Sequence, residues 1–442
     1  MSEPAKRMHL GAIVLHTVSN QADCQWAHPR DKVGLSFAEP EYWQSLARTL
    51  ERGCFDAMFL ADVQAPYDVY RGSADDTFRY AVQCPMHDPL VLVPVVALAT
   101  EHLGIGVTAS TTFDAPYTLA RRLATLDHLT RGRLGWNVVT SFHRNAFKAM
   151  GIEPIPHDER YERAEEFLEI CYRLWDSWEP DAVVYDRAGK LYADPAKVHR
   201  VTYEGRYYRC DSPSFVQPSP QRRPVIWQAG SSGRGRDFAA KHAEAVFALQ
   251  PTAGRMRAYC DDIRARTASL GRDPDALRIL FQLQVVVGET AEQARERYDS
   301  IVEQVTLEGA LTIISGHFGF DFSTVDLDQP LADVEATGVR SGLEGLLVLA
   351  EESGTPLTLR EAALLYAIAG AAPLVVGDPE QVADAMIELM DEGGGDGFIL
   401  MSTYTPGCYE EFVDLVVPVL QARGRFRTGY TGRTLREHML ER

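Results

Sequence analysis

The sequence predicts a (β/α)8 TIM barrel with insertions, and three observations lead there. About eight short apolar strands are spaced along the 442 residues, most of them followed by an amphipathic helix. Within Glu101–Ser141, the run GIGVTAST, a helix carrying Leu119, Leu123, Leu126 and Leu129, and LGWNVVTS form a strand–helix–strand unit. Such a unit implies parallel pairing with a right-handed crossover. Both strands are apolar along their length but end in polar groups, Thr108, Ser110 and Thr111 in one and Asn137, Thr140 and Ser141 in the other. Polar groups at the carboxyl ends of strands are what an α/β enzyme presents to a ligand.

The elements follow in order. Met8 to Val18 is a first strand, too apolar for a sheet edge, and Glu41 to Gly53 is an amphipathic helix closed by a glycine. Phe55 to Asp62 is the second strand; a long loop leads from it to the helix Pro89 to Thr100. The βαβ unit supplies the third and fourth strands. After an irregular stretch comes the helix His157 to Trp178, with Tyr161, Ala164, Phe167, Leu168, Cys171 and Leu174 on one face and Asp158 as its N-cap. Residues 179–223 have weak periodicity and read as an excursion from the core. The fifth strand, Arg223 to Ser232, runs into the helix GRGRDFAAKHAEA; Ala245 to Gln250, Arg278 to Gly288 and Asp396 to Ser402 are the sixth, seventh and eighth. Residues 306–358 form a second insertion, and the basic tail beyond Gly424 reads as peripheral. One barrel domain over residues 1–442 with these two insertions is the simplest organisation.

Composition limits the function classes. Hydrophobic content of 45% is a globular value, and a formal net charge of −18 repels phosphate backbones and anionic lipid. Nucleic acid and membrane partners are therefore not expected. The longest apolar run, Pro89 to Ala99, falls short of the roughly 20 residues of a membrane span. Seven scattered cysteines without a CxxC pair read as reduced thiols, and no signal-peptide pattern opens the chain, so a cytoplasmic location is expected.

QAGSSGRGRD (Gln228 to Asp237) is the strongest local signal. A strand passes directly into a helix through small residues, and the exposed amides there, with Ser231, Ser232 and nearby Arg234, suit a phosphate. A tight turn that merely needs glycines reads the same way. Asp62 ends the second strand and runs into a loop, as a ligand-facing or a turn-initiating aspartate would. Asn137 inside an apolar strand requires partners, and the edge of a planar heterocycle is one possibility. His157 and Tyr161 share a helical face but lack a third ligand for a metal, so no metal site is predicted; no G-x-S-x-G elbow is present either. Phe113, Phe142, Tyr67 and Phe318 point to an apolar pocket, or to plain core.

Together these segments resemble the bacterial-luciferase-like flavin monooxygenases, in the branch of the nitrilotriacetate (component A), dibenzothiophene-sulfone, dimethyl-sulfide and long-chain alkane monooxygenases. The likeness is carried by ERGCFDAMFLADV, YDVYRGS, ASTTFDAPYTLARRLATLDHLTRGRLGWNVVTS, HDERYERAEEFLE, PSPQRRPVIWQAGSSGRGRDFAAKHAE and GGGDGFIL, spread over nearly the whole chain. It implies a barrel that binds FMN at the carboxyl ends of its strands. Asp62, Thr108 and Asn137 would line the isoalloxazine and ribityl region; His157, Tyr161, Ser231 and Ser232 would hold the phosphate. The resemblance also implies reduced FMN supplied by a separate NAD(P)H:flavin reductase, reaction with dioxygen, and transfer of one oxygen atom to carbon, sulfur or nitrogen of a small organic substrate. A dimer or tetramer is expected on the same ground, and residues 306–358 are the better candidate for a lid that keeps the pocket dry.

The sequence departs from those relatives where substrate is met. Thr17 and Asn20 stand where the alkane enzymes carry a cysteine and a histidine, and Phe142 replaces a histidine, with His143 next to it. Tyr67 and Gln83 match substrate-facing positions, and His317 falls in the second insertion. Tyr67 and His317 are the candidates for substrate orientation or proton transfer, with Gln83, Phe142 and Thr17 as substrate contacts. A surface-loop role for His317 reads equally well. The rival functions are a deazaflavin-dependent oxidoreductase on the same barrel and a flavin-binding protein without turnover.

Overall fold

The structure is a computed structural model that describes residues 6–20, 23–334, 347–348, 350 and 356–440. Its first strands are β1 (His9–Leu15), β2 (Ala57–Ala61), β3 (Gly104–Ser110) and β4 (Leu134–Val139). Four short ones follow, β5 (Val183–Asp186), β6 (Leu191–Ala193), β7 (Val201–Glu204) and β8 (Arg209–Ser212). The set ends with β9 (Val225–Gln228), β10 (Ala245–Ala248), β11 (Arg278–Val287), β12 (Leu374–Gly377) and β13 (Gly397–Met401).

Parallel pairings run β1–β2–β3–β4–β9–β10–β11–β13 and return to β1, which closes an eight-stranded barrel. The predicted TIM barrel is therefore the observed fold. One strand was not anticipated: β12 pairs with the last four residues of β11, Gln284 to Val287, where that strand runs on past the ring. Its side chains are only half-buried and it stands outside the ring, which the eight predicted strands already complete. Residues 179–223 hold two small antiparallel pairs, β5–β6 and β7–β8. The insertion at 306–358 begins as the helix Leu307–Phe318; residues 335–346, 349 and 351–355 of it lie outside the described residues.

The barrel interior is filled by side chains. Phe59 packs against Trp227 and Phe247, with ring centroids 5.5 and 4.8 Å apart. Glycine makes the space: a Cβ on Gly135 would come within 2.6 Å of the Trp227 indole nitrogen. The outer face of the strands packs on helices, including Pro116–Leu129 and His157–Asp176; Trp136 sits there, against Phe167 and Trp175. Leu129 departs from its predicted apolar face and is exposed, because its helix ends there. Asp158 lies within the first turn, after an N-cap at Pro156, and hydrogen-bonds His157 instead of capping.

The basic tail is not peripheral. Leu435, His438 and Met439 of its helix Leu435–Leu440 are buried, and a Cβ on Gly104 would meet Leu435 at 2.4 Å. The tail thus plugs the amino-terminal end of the barrel. Arg427, also buried, donates to Asp56 Oδ1 at 2.6 Å, and His9 Nδ1 lies 2.8 Å from the same oxygen. The Leu10 amide donates to Asp56 Oδ2. Burial alone would raise the Asp56 pKa, but the charge of Arg427 and then of His9 overcome it and hold the carboxyl at about 2.

Breaking a buried pair leaves an uncompensated charge, so Arg427→Met is expected to destabilise the fold by about 3–5 kcal/mol in urea unfolding at pH 7. Since the Asp56 pKa is depressed from 3.8, its stabilisation is complete above that pH and disappears as pH falls through about 2. The variant and parent should therefore converge in strong acid. Equal stability at pH 7 would contradict this role.

Candidate active site at the carboxyl ends of the strands

A cavity of about 780 Å³ opens at the carboxyl-terminal mouth of the barrel, floored by Leu15, Ala61, Gln282 and Met401. A lobe of about 220 Å³ continues from it, sharing Val63, Thr140, His143 and Tyr161. The combined volume is that of a cofactor and small-molecule site.

One end is built on the turn after β9. Ser232 caps the helix Gly233–His242 by accepting from the Gly235 amide at 3.0 Å. His157 Nε2 lies 3.3 Å from Ser232 Oγ, and the Tyr161 hydroxyl reaches Ser232 and Thr140. Gly230 and Gly235 fold the turn tightly on itself: a Cβ on Gly235 would lie 2.8 Å from the Tyr161 hydroxyl and 3.0 Å from Gly230 Cα. Ser231 is exposed on the same wall. A helix start with free amides, two serines, a tyrosine and Arg160 is an anion-binding arrangement.

The lobe carries the other polar strand ends. Thr108 and Asn137 pair across β3 and β4, and Asn137 Nδ2 donates to Thr108 Oγ1 at 2.9 Å. Thr108 lines the lobe; Asn137 lies behind it, outside the lining, with its Oδ1 buried and without a hydrogen-bond partner. Asp62, half-buried, faces the lobe; burial and then the charges of Asp88 and Asp114 push its pKa from 3.8 to about 7. The Val63 amide offsets this only in part.

The far end gathers aromatic and imidazole rings. Tyr67 donates to Gln83 Oε1 at 2.7 Å, and Gln83 Nε2 donates to the Asn20 carbonyl at 3.0 Å. The Tyr67 ring lies 5.6 Å from His143 and 5.5 Å from His317. His317 is in the last turn of the helix Leu307–Phe318, inside the cavity wall and not on a surface loop, with Nδ1 2.8 Å from the Tyr366 hydroxyl. Phe142 is on the exposed rim and Phe318 lines the wall.

Thr17 is not brought in: it lies outside the lining of both cavities, buried, and its hydroxyl donates to the Pro85 carbonyl at 2.6 Å. Phe113 packs on Phe147 and does not line the cavity either. Sequence reasoning missed Arg160, Gln282 and Tyr366. Arg160 stood within the HDERY motif and was findable there; Tyr366 carries no local signal. Among the described residues no group of histidines, cysteines and carboxylates is placed to hold a metal ion.

Residues 17–397 match the luciferase-like monooxygenase family. The dimethyl-sulfide monooxygenase of Hyphomicrobium sulfonivorans is 42% identical over 98% of this chain and 90% of its own length. Its crystal structure superposes with a TM-score of 0.93, covering 98% of this chain and 92% of that one. The long-chain alkane monooxygenase of Geobacillus thermodenitrificans is also 42% identical, over 98% of this chain and 94% of its length, and a crystal structure of a long-chain alkane monooxygenase gives a TM-score of 0.89, covering 98% and 96% of the two chains. A riboflavin lyase solved with modified FMN and riboflavin is 33% identical, with a TM-score of 0.89 and coverage of 98% and 96%.

Because the folded state raises the Asp62 pKa, the stability gained from its protonation is full below pH 3.8 and lost as pH rises through about 7. Asp62→Asn should raise the thermal midpoint relative to the parent at pH 8 and leave it unchanged at pH 4. The same offset at both pH values would show that Asp62 ionises normally.

Proposed function

The chain belongs to the luciferase-like monooxygenase family and is a flavin-dependent monooxygenase; we propose that its flavin is FMN, delivered reduced by a separate NAD(P)H:flavin reductase, and that it oxygenates a small organic substrate. The observation that carries the reading is one cavity with two unlike ends, an anion cradle at one and an aromatic and imidazole chamber at the other, with a lobe carrying Asp62 and Thr108 opening from it.

The residues fit the cofactor. Ser231, Ser232, His157 and Tyr161 would hold the phosphate, with Arg160 beside them, and the glycines of the turn let backbone approach it closely. Asp62 and Thr108 would face the ribityl chain and ring, with Asn137 behind Thr108. FMN, when bound and reduced, supplies the two electrons and the reaction with dioxygen. The protein supplies position and the exclusion of water. Tyr67 and His317 would orient substrate or move a proton at its polar group, and Gln83 fixes the Tyr67 hydroxyl. Phe142 stands at the rim as a substrate contact, whereas Thr17 acts at one remove by tying its loop to Pro85. The insertion at 306–358 is proposed as the lid, its helix Leu307–Phe318 forming the described part of the wall.

Charge-assisted hydrogen bonds contribute about 1.5–3 kcal/mol each, so Ser231→Ala with Ser232→Ala should weaken FMN binding by about tenfold or more, read by fluorescence titration. Loss of the helix cap should cost only about 1 kcal/mol of stability, so the variant stays folded. Unchanged affinity would remove the phosphate assignment. His317→Ala should bind FMN as the parent does yet form product at least tenfold more slowly; parental turnover would take His317 out of the chemistry.

A further inference from the structure

Around Tyr67 and His317 the cavity is lined by Ile313 and Phe318 of the same helix as His317, with Phe142 at its rim. Set into that wall are His143 and His317, ring centroids 6.4 Å apart. Each imidazole has one nitrogen already engaged: His317 Nδ1 with the Tyr366 hydroxyl, and His143 with the Gly316 carbonyl. The Tyr67 hydroxyl proton and the Gln83 amide are spent on partners within the protein. One nitrogen on each imidazole is thus left to meet a ligand.

Neither imidazole carries charge at neutral pH. Burial pushes His143 down to about 4, helped by the nearby charge of Arg160, and pushes His317 down to about 3, helped by His143. Among the described residues, Arg160 is the one arginine or lysine lining either lobe; it stands between His157 and Tyr161 in the chain, its charge is felt at His143, and a bound phosphate would compete for it. The acid that faces the lobe, Asp62, repels anions once it ionises. A carboxylate entering the substrate end would lose its hydration and find only Arg160 in return, a charge it must share with the phosphate.

We propose that the substrate is an uncharged, largely apolar small molecule with one hydrogen-bonding group, read by His143 and His317, and that carboxylate-bearing compounds are rejected. The proposal builds on the FMN reading above and adds the substrate class. His317 is held to this task by packing as well as by Tyr366: a Cβ on Gly316 would come within 2.3 Å of the Tyr67 ring, so the helix end lies directly on that ring.

Under anaerobic conditions the test loads the full chain with reduced FMN, the form the account says it takes up, and titrates two probes of matched shape, methyl phenyl sulfide and 4-(methylthio)benzoate, following the flavin absorbance and, independently, the heat of binding. The neutral sulfide should bind about tenfold or more tightly than the benzoate. Phe142→Arg, at an exposed rim position that tolerates a long polar side chain, should tighten benzoate binding about tenfold and leave the sulfide unimproved. Equal or tighter benzoate binding by the parent, binding of neither probe at millimolar concentration, or an unchanged ratio in Phe142→Arg would overturn the proposal. FMN loading is read before any probe is added. Its failure would overturn the functional reading itself and the substrate class with it, a result distinct from loaded enzyme that prefers the wrong probe.

Discussion

Closing eight parallel strands into a ring imposes the constraint on which everything else depends. Every carboxyl end then points the same way, so the ligand site gathers at one mouth and the other is left to hold the barrel together. The pairing of β10 with β11 and of β1 with β13 closes the ring. That other mouth is closed by the tail: Leu435 and Met439 enter the amino-terminal end, and Arg427 reaches Asp56 where β1 and β2 begin. A charge pair in that position fixes the tail to the strands without placing any polar group in the functional mouth.

At the open mouth, each polar side chain is set by the element it terminates. Thr108 and Asn137 face each other because β3 and β4 are in register there, and Ser232 caps a helix because β9 runs straight into it. The helix Leu307–Phe318 is pinned at both ends. Asp23 accepts from the Thr306 amide and hydroxyl at 3.1 Å at its start, and Gly316 lies on Tyr67 at its finish. These contacts put a histidine from a distant insertion into the wall of a barrel cavity. The division into an anion cradle and an uncharged aromatic and imidazole chamber follows from that assembly.

Much of this was legible in the sequence because the ring strands are β-branched or apolar runs of at least four residues bounded by helices or glycine. The strand–turn–helix at AGSSGRG and the HDERY helix start marked locally the wall where Ser232, His157 and Tyr161 meet, and the polar end of β3 marked the lobe. What was not legible depended on contacts across the chain. β12 is as long as β9 and β10, but it is half-buried, stands outside the ring that eight strands already complete, and pairs only with the end of β11. The tail is basic, as a solvated segment would be, yet Arg427 is consumed by Asp56, 371 residues away in sequence. Tyr366 meets His317 through helix packing alone, and Thr17 turns to Pro85 because of a bridge between its strand end and Met86.

The measurement that bears most directly on the account is an anaerobic titration of the purified protein with reduced FMN, set beside titrations with oxidised FMN and with a deazaflavin. An enzyme supplied by a separate reductase must take up the reduced form and release the oxidised one. Reduced FMN should therefore bind more tightly than oxidised FMN, and the deazaflavin most weakly. Tighter retention of oxidised FMN, or preference for the deazaflavin, would contradict the assignment.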